Sequence, residues 1–263
     1  MAAIHKSAII QKGASIGDDV EIGPYCFISS GAKISDGCKI MQGAIIDGNT
    51  TLHKNCTVYY NSVIGSSAQY LNENSKDASV EIGEGTTIRE FCHINSGTQK
   101  GGGVTTIGKE CYIMAYVHIA HDAIVGDNVI LTNNATVAGH VEIGNSAVLG
   151  GMCAIHQFAK IGDYAMVGGG SMVSQDIPPY CLCEGNRAVI KGLNAVGLKR
   201  NIANPNDRLE LKSAYKALFR SKGAIKEIAN ELRKSSKNTY VQKLCAFIIE
   251  SKRGVPVKGR DNG

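Results

Sequence analysis

The 263-residue sequence predicts a mainly β fold: a prism-shaped parallel β-helix followed by a small α-helical domain. Three observations lead to this prediction. Aliphatic residues recur at every sixth position through the first two thirds of the chain, glycine is abundant with 31 residues, and the last quarter is basic with helical periodicity. A six-residue period indicates a parallel β-helix, because neither an α-helix nor an ordinary alternating strand holds such a phase.

The repeat contains twenty-five hexads, and Ile, Leu or Val occupies the key position of each. The key residues are Ile10, Ile16, Ile22, Ile28, Ile34, Ile40, Ile46, Leu52, Val58, Ile64, Ile82, Ile88, Ile94, Ile107, Ile113, Ile119, Val125, Leu131, Val137, Ile143, Leu149, Ile155, Ile161, Val167 and Val173. A small or β-branched residue stands two places before each. We expect every hexad to form one flat strand and one corner with its aliphatic side chain inside. Three hexads then make a coil, residues 18 apart stack, and the prism has about eight coils.

The composition excludes several other classes of protein. With 43% hydrophobic residues the chain is not disordered, and its glycines show no collagen period. The sequence contains no apolar run of membrane-spanning length and no secretory leader at its start. Six of the nine cysteines occupy the small position of a hexad, which predicts buried thiols in a reducing cytoplasm rather than disulfides or metal ligands. These six are Cys26, Cys38, Cys56, Cys92, Cys111 and Cys153.

Two interruptions break the phase of the repeat, near residues 66–79 and 96–104. We expect both segments to leave the prism as loops. Loops that project from a rigid scaffold often carry functional residues, although tolerated surface insertions are the alternative.

The repeat stops at Pro178 and Pro179, and the composition then changes. Residues 1–189 carry a net charge of −6, whereas residues 190–263 carry +11. We therefore predict a β-helix over 1–189 and a basic helical domain over 190–263, with three amphipathic helices separated near Asn206, Gly223 and Asn238. The charge indicates an anionic partner such as nucleic acid, a phosphorylated substrate or an acidic protein, or simply a solvated helical surface.

Five of the seven histidines lie between residues 93 and 156. The 18-residue spacing places His121, Gly139 and Gln157 in one column along an edge of the prism. The adjacent column contains Asp122, His140 and Phe158. An imidazole with a neighbouring carboxylate is thus predicted beside the backbone N–H of a glycine.

This arrangement is suited to acyl transfer by general-base catalysis. A neutral histidine takes a proton from the attacking group, a carboxylate orients its ring, and a fixed glycine N–H stabilises a developing oxyanion. No nucleophile motif is present, so we expect direct attack by the acceptor. The alternatives are a zinc site like that of γ-class carbonic anhydrases, turn histidines without a function, and a prism that only binds or supports other molecules.

Several motifs closely resemble those of the UDP-N-acetylglucosamine O-acyltransferases of lipid A synthesis, and the resemblance extends over the whole chain. The motifs are His118-Ile-Ala-His121-Asp122, Asn133-Asn134-Ala-Thr-Val-Ala-Gly139-His140, Gly150-Gly151-Met-Cys-Ala-Ile-His156-Gln157-Phe158, Gln175-Asp176-Ile-Pro178-Pro179-Tyr180, Glu184-Gly185-Asn186 and Gly197-Leu198-Lys199-Arg200. The resemblance implies a left-handed β-helix and a cytoplasmic homotrimer with active sites between subunits. It also implies transfer of an (R)-3-hydroxyacyl group from acyl carrier protein to the sugar 3-position, without cofactor, metal or nucleic acid.

The resemblance also implies roles for individual residues. His121 is the general base, Asp122 orients it, and the Gly139 N–H is the oxyanion donor. Gly169 occupies the position that limits acyl length, and its lack of a side chain leaves room for a longer chain. The implied substrate contacts are Gln69, His118, His140, His156 and Gln157, with Asn194 and Arg200 at the nucleotide and its phosphates.

The chain departs from the family pattern at Tyr70, Asn72 and Asn95, where the family has an acid, a base and a histidine, and at Val196 and Asn201. These departures concern sugar recognition, and we predict from them that the acceptor is UDP-N-acetylglucosamine or its 3-amino analogue. The nearest alternative enzyme is the later N-acyltransferase of the same pathway. That enzyme has an additional N-terminal domain, whereas the hexads here begin at Ala8.

Overall fold

A triangular coil forms the larger part of the computed structural model, which describes residues 1–71 and 77–257. Its strands fall into three sheets, here called A, B and C, and are numbered in chain order. Sheet A contains β1 (Ala3–Ile4), β4 (Glu21–Ile22), β7 (Lys39–Ile40), β10 (Thr57–Val58), β13 (Thr87–Ile88), β16 (Tyr112–Ile113), β19 (Ile130–Leu131), β22 (Val148–Leu149), β25 (Met166–Val167), β27 (Cys181–Glu184) and β28 (Val189–Leu193). Sheet B contains β2 (Ile9–Ile10), β5 (Phe27–Ile28), β8 (Ile45–Ile46), β11 (Val63–Ser66), β14 (His93–Asn95), β17 (His118–Ile119), β20 (Thr136–Val137), β23 (Ala154–Ile155) and β26 (Met172–Val173). Sheet C contains β3 (Ser15–Ile16), β6 (Lys33–Ile34), β9 (Asn49–Leu52), β12 (Ser79–Ile82), β15 (Val104–Ile107), β18 (Ile124–Val125), β21 (Glu142–Ile143) and β24 (Lys160–Ile161).

The chain passes repeatedly from sheet B to C to A, so the prism has three edges, which we call the B–C, C–A and A–B corners. Among the described strands, every sheet pairing is parallel except the final hairpin of β27 and β28. The hairpin extends sheet A beyond residue 189, the domain boundary that the composition predicts.

The interior is formed by the aliphatic residues of the repeat. From Ile22 to Val173 each key residue is buried, with at most 3% of its surface exposed. All nine cysteines are buried and unpaired, including the six that the hexad pattern places inside the prism. Uniform columns of Ile, Leu and Val therefore stack along the prism, with small residues filling the space near each corner.

The two interruptions lengthen a coil without disturbing this stacking. Ile34 pairs with Leu52 at the regular spacing of 18 residues. Across the first interruption Leu52 pairs with Ile82, and across the second Ile82 pairs with Ile107. The interruptions thus add twelve and seven residues, respectively. The second contains the short 3₁₀-helix Gln99–Gly101, and Asn72 of the first lies outside the described residues.

The C-terminal part contains four helices in the described residues, one more than the sequence predicts. They are α1 (Ala195–Asn201), α2 (Pro205–Arg220), α3 (Ile225–Ser235) and α4 (Thr239–Glu250). The seven-residue α1 is too short to show a hydrophobic period, and Asn194 caps it by accepting a hydrogen bond from the Gly197 N–H. Among the described helices, none has the length and apolarity needed to span a membrane.

After α4 the chain returns to the last coil of the prism. The Ser251 hydroxyl donates to Asp176 Oδ2 at 2.6 Å, and the Asp176 N–H donates to the Gly254 carbonyl at 2.9 Å. These contacts hold residues 251–257 against the end of the β-helix, so the tail lies close to the column that contains Gln157.

We predict that shortening one interior side chain destabilises the prism much more than the same change outside it. Ile28→Ala removes a side chain with no exposed surface, whereas Ile9→Ala changes a residue of the neighbouring strand that is 61% exposed. The interior variant should lose about 2–5 kcal/mol because a cavity remains. The surface variant should stay within about 0.5 kcal/mol of the native chain. Denaturant unfolding measures both, and equal losses would contradict the inward orientation of the aliphatic column.

Candidate active site

His121 and Asp122 form a hydrogen-bonded pair at the B–C corner, directly after β17. His121 Nδ1 lies 2.8 Å from Asp122 Oδ2. The carboxylate can only accept a hydrogen bond, so the imidazole carries its proton on Nδ1 and leaves the Nε2 lone pair free. The sequence predicts a pair of His121 and Asp122, and the structure contains it in the orientation that a general base requires.

Thr98, from the second interruption, holds the Asp122 carboxylate in place. Its N–H donates to Oδ1 at 2.9 Å, and its hydroxyl donates to Oδ2 at 2.6 Å. Burial raises the pKa of the Asp122 carboxyl, but the hydrogen bonds from Thr98 and His121 and the nearby His140 ring outweigh burial. The pKa of Asp122 consequently lies below its ordinary value, so the group is a carboxylate at neutral pH.

Gly139 lies directly beneath the His121 ring, one coil further along. A methyl group added at Gly139 would lie 2.6 Å from Cε1 and 2.7 Å from Nε2 of His121. Only glycine allows the ring this position. Within the described part of the chain, the Gly139 N–H has no hydrogen-bond acceptor, so the residue on which the His121 ring packs also carries an unused donor.

His140 lies between the His121 ring and Phe158. Its ring meets that of His121 edge-on with centroids 5.1 Å apart, and it stacks on Phe158 at 4.6 Å. His140 Nε2 is 3.7 Å from Asp122 Oδ2, which is too long for a hydrogen bond. Asp122, His140 and Phe158 all have positive φ, near 59–65°, because each occupies the same corner position of its hexad.

His118 lies on the outer surface of sheet B, three residues before His121. Its strand pairs with that of His93, and the two ring planes are inclined by 20° with centroids 5.2 Å apart. Burial lowers the pKa of both imidazoles, and repulsion between them lowers that of His118 further. Both rings are accordingly neutral at pH 7.

His156 and Gln157 follow Gly139 by one coil at the same corner. His156 Nδ1 lies 3.0 Å from the Gln157 carbonyl oxygen and 3.3 Å from Nη2 of Arg253, a residue of the returning tail. Gln69 is exposed in the first interruption. The ring centroid of the adjacent Tyr70 lies 6.2 Å from that of His121.

The remaining predicted residues lie at the other two corners. Asn194 and Arg200 line a cleft of ≈ 400 Å³ beside Tyr164 at the C–A corner. Asn194 is engaged within the fold, since its Nδ2 donates to the Tyr164 carbonyl at 2.9 Å while its Oδ1 caps α1. Gly169 stacks on Gly151 at the A–B corner. One chain therefore does not bring these three residues to His121.

A metal ion is the alternative use of the B–C corner. Ligand atoms of His121, Asp122 and His140 lie within 4.8 Å of one another. Asp122, however, already accepts three hydrogen bonds, two from Thr98 and one from His121. A cation bound there would have to compete with these donors, so the geometry favours the base and its orienting carboxylate.

Sequence reasoning did not find Thr98, the pairing of His93 with His118, or Arg253 beside His156. Thr98 precedes Asp122 by 24 residues, so the regular 18-residue spacing does not relate them. Across the second interruption, paired residues are 25 apart, as His93 and His118 are, and Thr98 itself belongs to the inserted segment. Arg253 belongs to the C-terminal tail, which lies outside the hexad repeat, so the 18-residue spacing cannot predict its contact with His156. Applying the shifted spacing of 25 residues would have found the pairing of His93 with His118, but not Thr98, which lies 24 residues before Asp122.

Two family profiles match the chain. Residues 2–36 and 105–139 match the bacterial transferase hexapeptide repeat. Residues 176–256 match the second domain of UDP N-acetylglucosamine O-acyltransferase. The repeat and the helical part are thus matched separately, in the order in which they occur.

Full-length relatives agree with these profiles. An acyl-[acyl-carrier-protein]–UDP-N-acetylglucosamine O-acyltransferase from Campylobacter concisus is 49% identical, covering 99% of this chain and 100% of its own. The protein of the same name from Aliarcobacter butzleri is 46% identical, covering 97% and 98%. The solved UDP-N-acetylglucosamine acyltransferase from Campylobacter jejuni has a TM-score of 0.93 at 48% identity, covering 97% of this chain and 99% of its own.

The similarity in structure extends over the prism and the helices together. The fold is accordingly a left-handed parallel β-helix with a small C-terminal helical domain, as predicted. The identity to the Campylobacter concisus relative over nearly the whole of both chains also shows the family. The chain belongs to the family of acyl-[acyl-carrier-protein]–UDP-N-acetylglucosamine O-acyltransferases.

Proposed function

We propose that this enzyme transfers an (R)-3-hydroxyacyl group from acyl carrier protein to the 3-position of UDP-N-acetylglucosamine, the first step of lipid A biosynthesis. The names of its relatives supply the two substrates. The observation that carries the proposal is the His121–Asp122 pair, whose imidazole packs directly on Gly139, a glycine with an unused N–H among the described residues.

The geometry supports a direct attack on the thioester. His121 Nε2 removes the proton from the sugar 3-hydroxyl as its oxygen forms a bond to the thioester carbonyl carbon. The Gly139 N–H stabilises the oxyanion of the tetrahedral intermediate. When the C–S bond breaks, the proton on His121 passes to the sulfur of the phosphopantetheine thiol. Asp122 stabilises the imidazolium throughout, and no covalent acyl-enzyme forms.

The other predicted residues bind substrate in this proposal. His118, His140, His156 and Gln157 surround the base and contact the sugar and the acyl donor, and Gln69 contacts the sugar. Asn194 and Arg200 bind the nucleotide and its phosphates through the cleft at the C–A corner. At the A–B corner, Gly169 leaves space for the acyl chain because it has no side chain.

We infer that the enzyme is a homotrimer whose active sites lie between subunits. The distribution of these residues over three corners supports this inference, because neighbouring prisms can bring different corners together. The reaction proposed needs neither metal nor cofactor, since acyl carrier protein supplies the activated acyl group. Nine unpaired cysteines fit a reducing cytoplasm as the location.

The decisive experiment combines product analysis with a variant of the base. The purified enzyme should convert UDP-N-acetylglucosamine to a product heavier by one 3-hydroxyacyl group, measured by mass spectrometry. His121→Ala should lower kcat about 10²- to 10⁴-fold because proton removal from the hydroxyl is lost. Its melting temperature should change little, since the ring packs over a glycine outside the interior.

The control is His53→Ala, which changes an exposed histidine far from the B–C corner. It should retain native kcat. Undiminished turnover by His121→Ala would exclude it as the base. The same assay with the 3-amino analogue tests the acceptor that Tyr70 and Asn95 indicate: an amide product formed faster than the ester would assign the analogue as the preferred substrate.

The variant Thr98→Val tests how much the hydrogen bond from Thr98 to the Asp122 carboxylate contributes to catalysis and to stability. The variant loses the hydroxyl that donates to Asp122, so the pKa of this carboxyl should rise towards its ordinary value of about 4. We expect kcat to fall about tenfold and the free energy of unfolding at pH 7 to fall by about 1.5–3 kcal/mol. Thr98→Ser keeps the hydroxyl and serves as the control.

The effect on stability should depend on pH in one direction. A carboxyl with a depressed pKa stabilises the folded state above its ordinary pKa and loses that contribution as the pH falls through its folded-state pKa. The difference between Thr98→Val and the native chain should therefore be full at pH 7 and disappear in acid. A difference independent of pH would assign Thr98 to packing alone.

The exposed cations of α2 should bind the acidic carrier protein. Lys212, Lys216 and Arg220 follow one another at intervals of four residues and are all exposed, so they form one basic stripe. Changing all three to Gln should raise KM for acyl carrier protein, and less so as salt is added. KM for the UDP-sugar should not change. The charge-matched control changes three lysines to Gln at the opposite end of the prism, where Lys6, Lys12 and Lys33 are exposed. If the control raised KM for acyl carrier protein equally, specific docking of the carrier on α2 would be rejected.

A further inference from the structure

A chain of partly buried hydrogen bonds leads from the first interruption to His118. His93 Nδ1 and His118 Nδ1 lie 3.2 Å apart, with the two ring planes inclined by only 20°. On the other side of His93, Nε2 lies 2.9 Å from the Ser66 hydroxyl oxygen. Ser66 in turn lies 3.2 Å from Nδ2 of Asn95. Four polar side chains thus form one continuous series, and its last member is a predicted substrate contact.

Asn95 fixes the direction of this series. The side chain is completely buried, and its Nδ2 donates to the Ser67 carbonyl at 2.8 Å and lies 3.4 Å from that of Ser66. The reversed amide would place its oxygen against two carbonyl oxygens, so nitrogen occupies this position even though Oδ1 has no partner in the described part of the chain. Ser66 Oγ therefore accepts from Asn95, and its own proton is directed at His93 Nε2.

The direction determines where each imidazole carries its proton. A neutral histidine has one N–H, so His93, which accepts at Nε2, carries its proton on Nδ1. That proton lies between the two Nδ1 atoms and is donated to His118. His118 accepts at Nδ1 and consequently carries its own proton on Nε2. The alternative direction would leave the Ser66 hydroxyl proton without an acceptor among the described residues.

We propose that Ser66, His93 and Asn95 are positioning residues that hold His118 as a neutral hydrogen-bond donor, with its Nε2–H directed at an oxygen atom of the substrate. His121, three residues later, is held by Asp122 with its proton on Nδ1 and its Nε2 bare. Two neighbouring histidines are thereby set in opposite tautomers, one to donate a hydrogen bond and one to remove a proton.

The same contacts fix the start of the segment that carries Gln69 and Tyr70. Asn95 holds the carbonyls of Ser66 and Ser67, only a few residues before the Tyr70 ring that approaches His121. Asn95 thus serves the first interruption and His118 together. The substrate role of His118 rests on the proposed function, whereas its tautomer does not.

The tautomer is measured in the free, full-length enzyme labelled with ¹⁵N in its histidines. Long-range ¹H–¹⁵N correlation distinguishes a protonated from a bare ring nitrogen, and His118→Gln identifies the signal. At pH 7 we expect His118 to be protonated at Nε2. In Ser66→Ala or His93→Leu the signal should shift towards a mixture of tautomers. Protonation at Nδ1 in the native enzyme would overturn the proposal, whatever reaction the enzyme catalyses.

Kinetics test the consequence for substrate. His93→Leu and Ser66→Ala should raise KM for one substrate about five- to tenfold, the effect of one lost hydrogen bond. His93→Asn keeps a donor near the Nδ1 position and Ser66→Thr keeps the hydroxyl, so both should retain most of the native KM. His53→Leu is the control for loss of an unrelated histidine.

The outcomes separate the two proposals. A KM unchanged in His93→Leu and in Ser66→Ala would overturn the positioning role while leaving His121 as the base. Equal losses in the Leu and Asn variants would also overturn it, because packing rather than hydrogen bonding would then matter. If the native enzyme transfers no acyl group, the proposed function fails, and the ¹⁵N spectrum still decides the tautomer.

Discussion

The vertical stacking of one coil on the next is the constraint on which the rest of this structure depends. Each strand has only a few residues, and it is stable only because the strands above and below satisfy its backbone hydrogen bonds. Stacking keeps every inward residue in a column of like residues, and it equally keeps every corner residue in a column. The B–C corner becomes a site because this second set of columns brings His121 over Gly139.

The hexad repeat forms the scaffold, and the two interruptions of the repeat supply side chains that orient the histidines. Both interruptions leave the interior register unchanged while placing new side chains against the B–C corner. The second provides Thr98 for the Asp122 carboxylate, and the first provides Ser66 for His93. His121 is thereby oriented by a carboxylate and His93 by a hydroxyl, each at one ring nitrogen.

The fold could be predicted from sequence because one period controls it. Twenty-five aliphatic positions agree with a single arrangement, so local and global preferences coincide. The His121–Gly139 column could be predicted for the same reason, since no interruption separates these residues. The contacts of Thr98 and His93 do not follow from the regular spacing of 18 residues, because an insertion shifts them. The short helix α1 was missed because seven residues show too little periodicity. The roles of Asn194, Arg200 and Gly169 stay predictions, because these residues lie at other corners of the prism than His121.

The seven residues that the second interruption adds have a consequence for how this enzyme can change over evolution. The prism on either side tolerates any loop length, because its strands pair through the interior columns. The contact of Thr98 does depend on loop length, since losing or gaining a single residue would move its hydroxyl away from Asp122. The loop should therefore be free to vary in the composition of its exposed residues but not in length between Asn95 and Thr98. The fold is otherwise modular, but the length of this short segment fixes the distance between the Thr98 hydroxyl and the Asp122 carboxylate.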